Sequence, residues 1–449
     1  MIYWAPLLHF YQPPTQLHWV LKKVYDECYR PLVQLLHDLP LATVTVNINA
    51  VLTEMLDEHG MSDVIYGLRE LSEKDRLEFT GSAKYHAILP LVSEDEMLRQ
   101  IVHNHQSNRR FFGDTYSPQG FFPPEMCYSR NMVKSVLDTG HRWMILSGIA
   151  CPAPWSTTSV YEIPSEARTL STLFRDDYLS NRVSFRQTDA RSFVDTLKGL
   201  KRKGEDTYVV TAMDAETFGH HIRYWEKLFL AEVYQLIEAD AANQRKTQNS
   251  DLAQNNSSNK SIVDQPGDPV QRHEQMLNSY DVADSGEIRV VTLSKLLEIM
   301  PSAGPVEPRA SSWSTSIEDI GAGNPYPLWK SPENIVHQMQ WQHLKLAIGL
   351  SQKASEIAEN ESSKLYADIA RNLLDRALHS DQFWWASKRP WWDMNLVHRG
   401  LVEQREVVFN AYKAIKVSGL SDEEKQEYYY RVVASRDLHA KIMDQLLQD

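Results

Sequence analysis

Two stretches of this 449-residue chain place carboxylates directly after runs that favour β-strands. "YVVTAMDAETFGHH" (208–221) follows a strand-like run with Asp214, Glu216, a glycine and two histidines. "GFFPPEMCYS" (120–129) passes through Phe121 and Phe122 to Pro123-Pro124, which stiffens the exit, and then Glu125. A solvated loop needs no apolar run before it, and a buried strand rarely finishes on acids that nothing uses. In a parallel barrel the C-terminal strand ends carry the loops that form the pocket mouth. Two acids there are the minimal equipment for glycoside cleavage. One attacks the anomeric carbon or activates water, and the other protonates the leaving oxygen. The bland alternatives are that Asp214 only caps the next helix and that Glu125 is an exposed loop acid.

The elements that must position these acids alternate along the first three hundred residues. Strand-like runs occur at 2–10, 41–48, 76–81, 120–125, 141–146, 182–186, 207–214 and 288–293. Helical patterns such as "AVLTEMLDEH" and "NMVKSVLDTG" lie between several of them, the second ending on Gly140 as a helix C-terminus should. Alternating β and α with nearly continuous apolar strands predicts an α/β fold, a parallel sheet covered by helices. Seven or eight units favour a closed barrel over an open sheet.

The expected organisation is a catalytic β/α barrel over 1–300, connecting loops near the cleft over 301–330, and an all-α helical domain over 331–449. Residues 240–275 are rich in Asn, Gln and Ser with little apolar content, which predicts an exposed, disordered insertion. Ser331-Pro332 is expected to open the first helix of the last region. Tyr366, Ile369, Leu373 and Ala377 are expected on one helical face, and Val408, Ala411 and Ile415 on another. Ser421 with Glu424 has the capping-box pattern.

Composition narrows the function class. With 47 basic against 59 acidic residues the formal net charge is -12, which disfavours a nucleic-acid partner or an anionic membrane surface. The three cysteines, Cys28, Cys127 and Cys151, have no C-x-x-C spacing, so neither a disulfide framework nor a zinc knuckle is expected. The N-terminal stretch lacks a basic region, and no apolar run reaches ~18 residues, so a cytoplasmic protein without a membrane span is expected. Twelve tryptophans and twenty tyrosines exceed what a minimal core needs. Sugar rings present flat C–H faces that stack on aromatic rings.

"LLHFYQPP", "FFPPE" and "AMDAETFGHH" resemble, in chain order, the first, third and fourth signature regions of glycoside hydrolase family 57, and "LEFTGSAKYHAILPLV" is similar to the second. "LFRDDYLSNRVSF" (173–185) and "SDQFWWAS" (380–387) also resemble stretches of its amylase-like members. The resemblance implies a (β/α)7-type parallel barrel followed by a helical domain, α-glucan substrates, no cofactor or metal, and a retaining double displacement. Matched residue by residue, Glu125 takes the nucleophile's place and Asp214 that of the acid/base. Retention implies carboxyl groups ~5–5.5 Å apart.

Supporting candidates follow. His9 and Gln12 are expected to bond a sugar hydroxyl or the nucleophile, and Glu216 to tune Asp214 or bind a hydroxyl. His220 and His221 line the site or cap the next helix. His86 stands where many relatives carry another residue, commonly Glu. Trp313 and Trp329 are candidate stacking platforms, and Asp381 and Trp384 candidates to reach the cleft from the helical region. An α-amylase-like hydrolase is the leading reading, since the chain is short for the family's branching enzymes. A 4-α-glucanotransferase or branching enzyme would use the same carboxylates. A metal-dependent polysaccharide deacetylase would need an Asp and two His one helical turn apart, which neither His103-x-His105 nor His220-His221 supplies.

Overall fold

The computed structural model describes residues 1–251, 287–389 and 392–448. Among the described residues ten strands form one sheet: β1 (Ile2–Phe10), β2 (Val44–Ile48), β3 (Leu77–Gly81), β4 (Gly120–Phe121), β5 (Trp143–Ser147), β6 (Val160–Ser165), β7 (Arg168–Arg175), β8 (Thr207–Asp214), β9 (Ile288–Val290) and β10 (Ser302–Pro305). Seven of them run parallel in the order β7-β5-β4-β3-β2-β1-β8. At the remaining seam β7 meets β8 through single bonds. Asp176 N–H donates to the Val210 carbonyl (2.8 Å) and Arg175 Nε to the Ala212 carbonyl (2.7 Å). The architecture is the expected parallel β/α barrel with a mostly helical C-terminal region. Antiparallel β6 hangs on β7, and β9 extends β1 where β2 does not reach.

Strand periodicity decides what faces the barrel axis. Successive side chains alternate between faces, so every second residue points inward. Tyr3, Ala5 and Leu7 of β1 share the inner core with Trp143 and Ile145 of β5, Leu173 of β7, and Tyr208, Val210 and Ala212 of β8. The next inward positions are His9, Ser147, Arg175 and Asp214. Their neighbours Leu8, Phe10, Val209 and Met213 pack outward under the helices. The C-terminal layer of the barrel interior is therefore polar by register: His9 pairs with Asn47 on one side and Asp214 on the other.

Several expected elements shift. The run at 182–186 is no strand. Asp176 caps the helix Asp177–Ser184 immediately after β7, and Phe185, which an alternating strand would bury with Val183, is 69% exposed. The 120–125 strand stops at Phe121, because Pro123 and Pro124 have no N–H to extend a ladder. The helix expected at Ser331 begins at Ile335. Its cap is Asn334, whose side chain accepts from His337 N–H (3.1 Å).

In the helix Glu361–Ala377 the buried face is Ala367, Ala370, Leu374 and Ala377, one residue round from the expected set. Small alanines let it close on the helix Met394–Lys416, where Val408, Ala411 and Ile415 are buried as expected. Ser421 and Glu424 form the reciprocal capping box before the helix Asp422–Gln448. The polar stretch expected as an insertion begins inside the helix Glu232–Asp251, and its remainder, 252–275, lies outside the described residues.

One apolar cluster joins the two regions. Phe121, Met144, Leu146 and Phe174 pack with Trp329, Trp341, Leu344 and Val408. No helix among the described residues is long and apolar enough to cross a membrane.

Candidate active site

Glu125 sits in a tight turn, Pro124–Met126, at the exit of β4. Its φ of 58° and that of Met126, 48°, are left-handed, as is His86 at 57° on the loop after β3. Left-handed backbone at residues other than glycine costs ~1–3 kcal/mol and persists only where surroundings over-determine it. Trp313 provides much of that constraint. Its backbone N–H donates to the Glu125 carbonyl (3.1 Å), and its indole Nε1 donates to Glu125 Oε2 (2.8 Å). Glu125 is therefore not a solvated loop acid; its side chain keeps 17% exposure.

Asp214 is the last residue of β8 rather than the first beyond it, and its side chain caps nothing. Burial raises the carboxyls of both acids. Glu125 is pushed well up by burial and then by the negative charges of Asp214 and Asp381, with the Trp313 bond opposing. Asp214 is raised by burial, while His9 and Arg175 pull it back. The two acids thus feel one another across a shared, poorly hydrated space. No described side chain hydrogen-bonds Asp214, and among the described residues the only ionisable partner of Glu125 is His86 Nδ1 at 3.7 Å. His86 is held neutral by burial and by His9 and His379.

Around the acids stands a column of nearly parallel rings. Tyr11 stacks on His86 (3.9 Å, 18°), His86 on His9 (5.0 Å, 19°) and His9 on Phe122 (4.7 Å, 18°). His9 Nδ1 pairs with Asn47 Oδ1 (2.7 Å), and His86 Nδ1 with Ser380 Oγ (2.9 Å). Asp381 reaches in from the helical region. It accepts from Tyr11 O–H (2.5 Å) and lies 3.2 Å from His379 Nδ1. Glu216 is buried, accepting from Gln12 Nε2 (3.1 Å) and from Tyr29 O–H, and burial with the Asp214 charge raises it to about 8.

Most expected site residues therefore converge: His9, Gln12, His86, Glu125, Asp214, Glu216, Trp313 and Asp381. Three do not. Trp329 is fully buried, its carbonyl accepting from Trp341 Nε1, because it plugs the barrel–helix core. Trp329→Ala is accordingly expected to cost ~3–5 kcal/mol of stability, read as a lowered midpoint in calorimetry. Trp384 packs edge-on against Trp385 (4.6 Å) and against that same core. His220 bonds Glu27 (2.8 Å) instead of any of the converging groups.

Tyr11, Phe122 and Arg175 escaped the sequence reading. Tyr11 was findable, since it lies two residues beyond His9 and so shares its face. Arg175 lies in the 173–185 stretch, but its inward position follows only from strand β7, which the local pattern does not announce. Its guanidinium lies over the Trp313 ring (5.8 Å) and bonds Asp177 and Asn181.

The Trp313 bond makes a testable contribution. Trp313→Phe removes the donor to Glu125 while keeping a ring, so it is expected to lower kcat about tenfold. Because that bond stabilises the anion, its loss raises the Glu125 carboxyl. The acid limb of kcat/KM should move to higher pH.

The sequence profile described as Glycosyl hydrolase family 57 matches residues 7–259, more than half of the chain. The chain belongs to glycosyl hydrolase family 57. It is similar to an α-amylase of Pyrococcus abyssi, 23% identical over 243 residues, covering 52% of this chain and 36% of that protein. A 4-α-glucanotransferase of Thermococcus litoralis is 25% identical over 139 residues, covering 31% of this chain and 20% of that one. The matches thus span between a fifth and little more than a third of the length of these curated relatives.

Among solved structures, a family 57 branching enzyme of Pyrococcus horikoshii superposes with a TM-score of 0.66 at 15% identity, over 98% of this chain and 96% of that one. An α-amylase of Thermotoga maritima gives 0.63 at 14% identity, over 98% of each chain. At these identities the fold is what is shared. The branching enzyme's near-complete coverage overturns one expectation: length does not separate this chain from the family's branching enzymes. Among the described residues no group of three His, Cys, Asp or Glu is placed to hold a metal.

Proposed function

We propose that this family 57 chain is a retaining glycosidase acting on α-1,4-linked glucans, with Glu125 as nucleophile and Asp214 as general acid/base. One observation carries this reading. Two largely buried carboxylates, Asp214 ending β8 and Glu125 on the turn after β4, sit at the same barrel mouth, close enough for the charge of Asp214 to raise Glu125, and no Arg or Lys among the described residues bonds either. An ion pair with a base would have spent them on structure.

In the first step Asp214 gives its proton to the glycosidic oxygen while Glu125 attacks C1 from the β face, forming a β-glycosyl ester and releasing the aglycone chain. In the second, Asp214 takes a proton from water as that water displaces Glu125, restoring the α-anomer. Burial raises the Asp214 carboxyl, the direction the acid role needs. Glu125 must be an anion, and the indole N–H of Trp313 favours that state against burial and the charge of Asp381, while a proton on Asp214 removes the repulsion from that side. Positive charge developing at C1 adds to the same side in the transition state. His9, Gln12, His86, Glu216 and Asp381 present polar atoms to hydroxyls around the scissile unit, and the exposed part of Trp313 offers a ring face.

Burial of both acids also favours a second reading, transfer to another sugar. A dry site disfavours water as acceptor, and 4-α-glucanotransfer or branching needs no other catalytic group. The test is incubation with maltooligosaccharides and with amylose. Shorter products with new reducing ends mean hydrolysis, longer oligomers mean 4-α-glucanotransfer, and new α-1,6 linkages mean branching. No action on any α-glucan would overturn the substrate assignment.

A further inference from the structure

The loop that carries Asp214 and Glu216 continues to a second pocket, of about 160 Å³, bounded by Asp26, Glu27, Gly219, Arg223, Tyr224 and Glu226. Its two sides are helical segments wound with an extra residue per turn, Tyr25–Tyr29 and Glu226–Ala231. Such wide turns are rare and concentrate at functional sites. The first segment is locked to the catalytic loop. Cys28 Sγ donates to the Ala215 carbonyl (3.0 Å) and Tyr29 bonds Glu216. Gly219, at φ 124°, lies so close that a Cβ there would stand 2.0 Å from the Glu27 carbonyl.

Two side-chain groups of this pocket have no structural use among the described residues. Tyr224 holds a left-handed φ of 61° while leaving 61% of its surface exposed, without a ring or cation packed on it among the described residues. The left-handed backbone lets the Tyr224 carbonyl accept from Lys227 N–H (3.0 Å) and Leu228 N–H (2.8 Å) and so open the second helical segment, but the exposed ring stabilises nothing in the fold. Glu226 is only 3% exposed, and its Oε2 has no hydrogen-bond partner among the described residues. An unmet buried carboxyl oxygen is costly unless a donor reaches it.

We infer that this pocket is a second saccharide site, holding one pyranose unit of the glucan against the Tyr224 ring with its hydroxyls on Glu226 and Asp26. This rests on the substrate reading given above. The acids and bases lining the pocket nearly balance, which favours a neutral ligand over an anion or a cation. Glu27 is already neutralised by Arg223 (2.6 Å) and faces His220, and Asp26 is paired with Lys22. What remain are Lys227 and Glu226, one charge of each sign, the Glu226 carboxyl being raised by burial and pulled back by Lys227. A sugar hydroxyl both donates and accepts, so it satisfies that carboxyl in either protonation state, whereas a cation needs it ionised.

A wider cavity of about 470 Å³ beside Tyr66 supplies the matched control. Tyr66 is 64% exposed, yet the polar groups around it already have partners. His37 bonds the Gly67 carbonyl, Asp63 accepts from Tyr25, and Glu70 pairs with Lys74.

The test is migration of the full chain through native gels cast with amylopectin, in a Glu125→Gln background so that the polymer persists. Tyr224→Ala is expected to weaken retardation about tenfold, and Glu226→Gln to weaken it in the same direction. Tyr66→Ala should migrate as the parent. Equal retardation of parent and Tyr224→Ala would overturn the site, as would no retardation of the parent or a loss of retardation on adding EDTA. Failure of the substrate reading shows separately, as no change of any α-glucan by the wild-type chain, whether in reducing ends, chain length or α-1,6 linkages, and leaves this binding comparison intact.

Discussion

Glu125→Ala is expected to reduce turnover of maltooligosaccharides by about ten-thousand-fold to a million-fold, with folding and glucan binding retained. The loss is large because no neighbour can replace it. His86 is 3.7 Å away but buried, neutral and stacked between Tyr11 and His9, and Asp381 is engaged by Tyr11. The missing carboxylate also leaves space on the β face of C1. Adding azide should therefore restore turnover on an activated glycosyl fluoride and yield the β-glycosyl azide, identified by proton NMR. Recovery of the α-azide from this variant would mean that Glu125 is not the group attacking C1.

Asp214→Ala should divide the reaction by leaving group. Natural maltooligosaccharides need the proton, so their turnover is expected to fall about a hundred- to ten-thousand-fold. An aryl glycoside with an acidic phenol needs little help to leave, so its glycosyl-enzyme should form and accumulate as a burst. Azide attacks that intermediate from the face opposite Glu125 and should give the α-azide, the mirror outcome of the Glu125 variant. The pH profile provides an independent reading. Activity requires Asp214 protonated, so in the wild type it falls as pH rises through the Asp214 carboxyl, which burial holds above its ordinary value. Without Asp214 that alkaline limb should disappear for the aryl substrate. A limb that persists unchanged would assign the acid role elsewhere.

Both variants remove a carboxyl that burial penalises, so neither is expected to unfold the chain. Glu125 is pushed up in part by Asp214. Deleting either partner relieves that cost, while the backbone tether between Trp313 and Glu125 survives substitution of the side chain. Melting midpoints at or above the wild-type value are thus consistent with the proposed roles.

The acids, the strands bearing them and the family were legible because they depend on local order. Strand periodicity alone places His9 above Tyr3, Ala5 and Leu7, and Asp214 above Tyr208, Val210 and Ala212, on the inner face of neighbouring strands. The double proline after Phe122 likewise announces a rigid exit for Glu125. What local order cannot express is which distant segment arrives beside a given strand end. Trp313 and Trp329 look equally eligible along the chain, yet one bonds the Glu125 carboxylate and the other fills the core between barrel and helices. Asp381 and Trp384 lie three residues apart, and only Asp381 meets Tyr11. Arg175 acquires its place over Trp313 only once β7 closes against β8. Sequence determines the acids and the face they share, because a strand's alternation is a property of the backbone. Tertiary structure decides the remainder of the site, because a side chain's neighbours across the barrel mouth are set by packing among residues hundreds of positions apart.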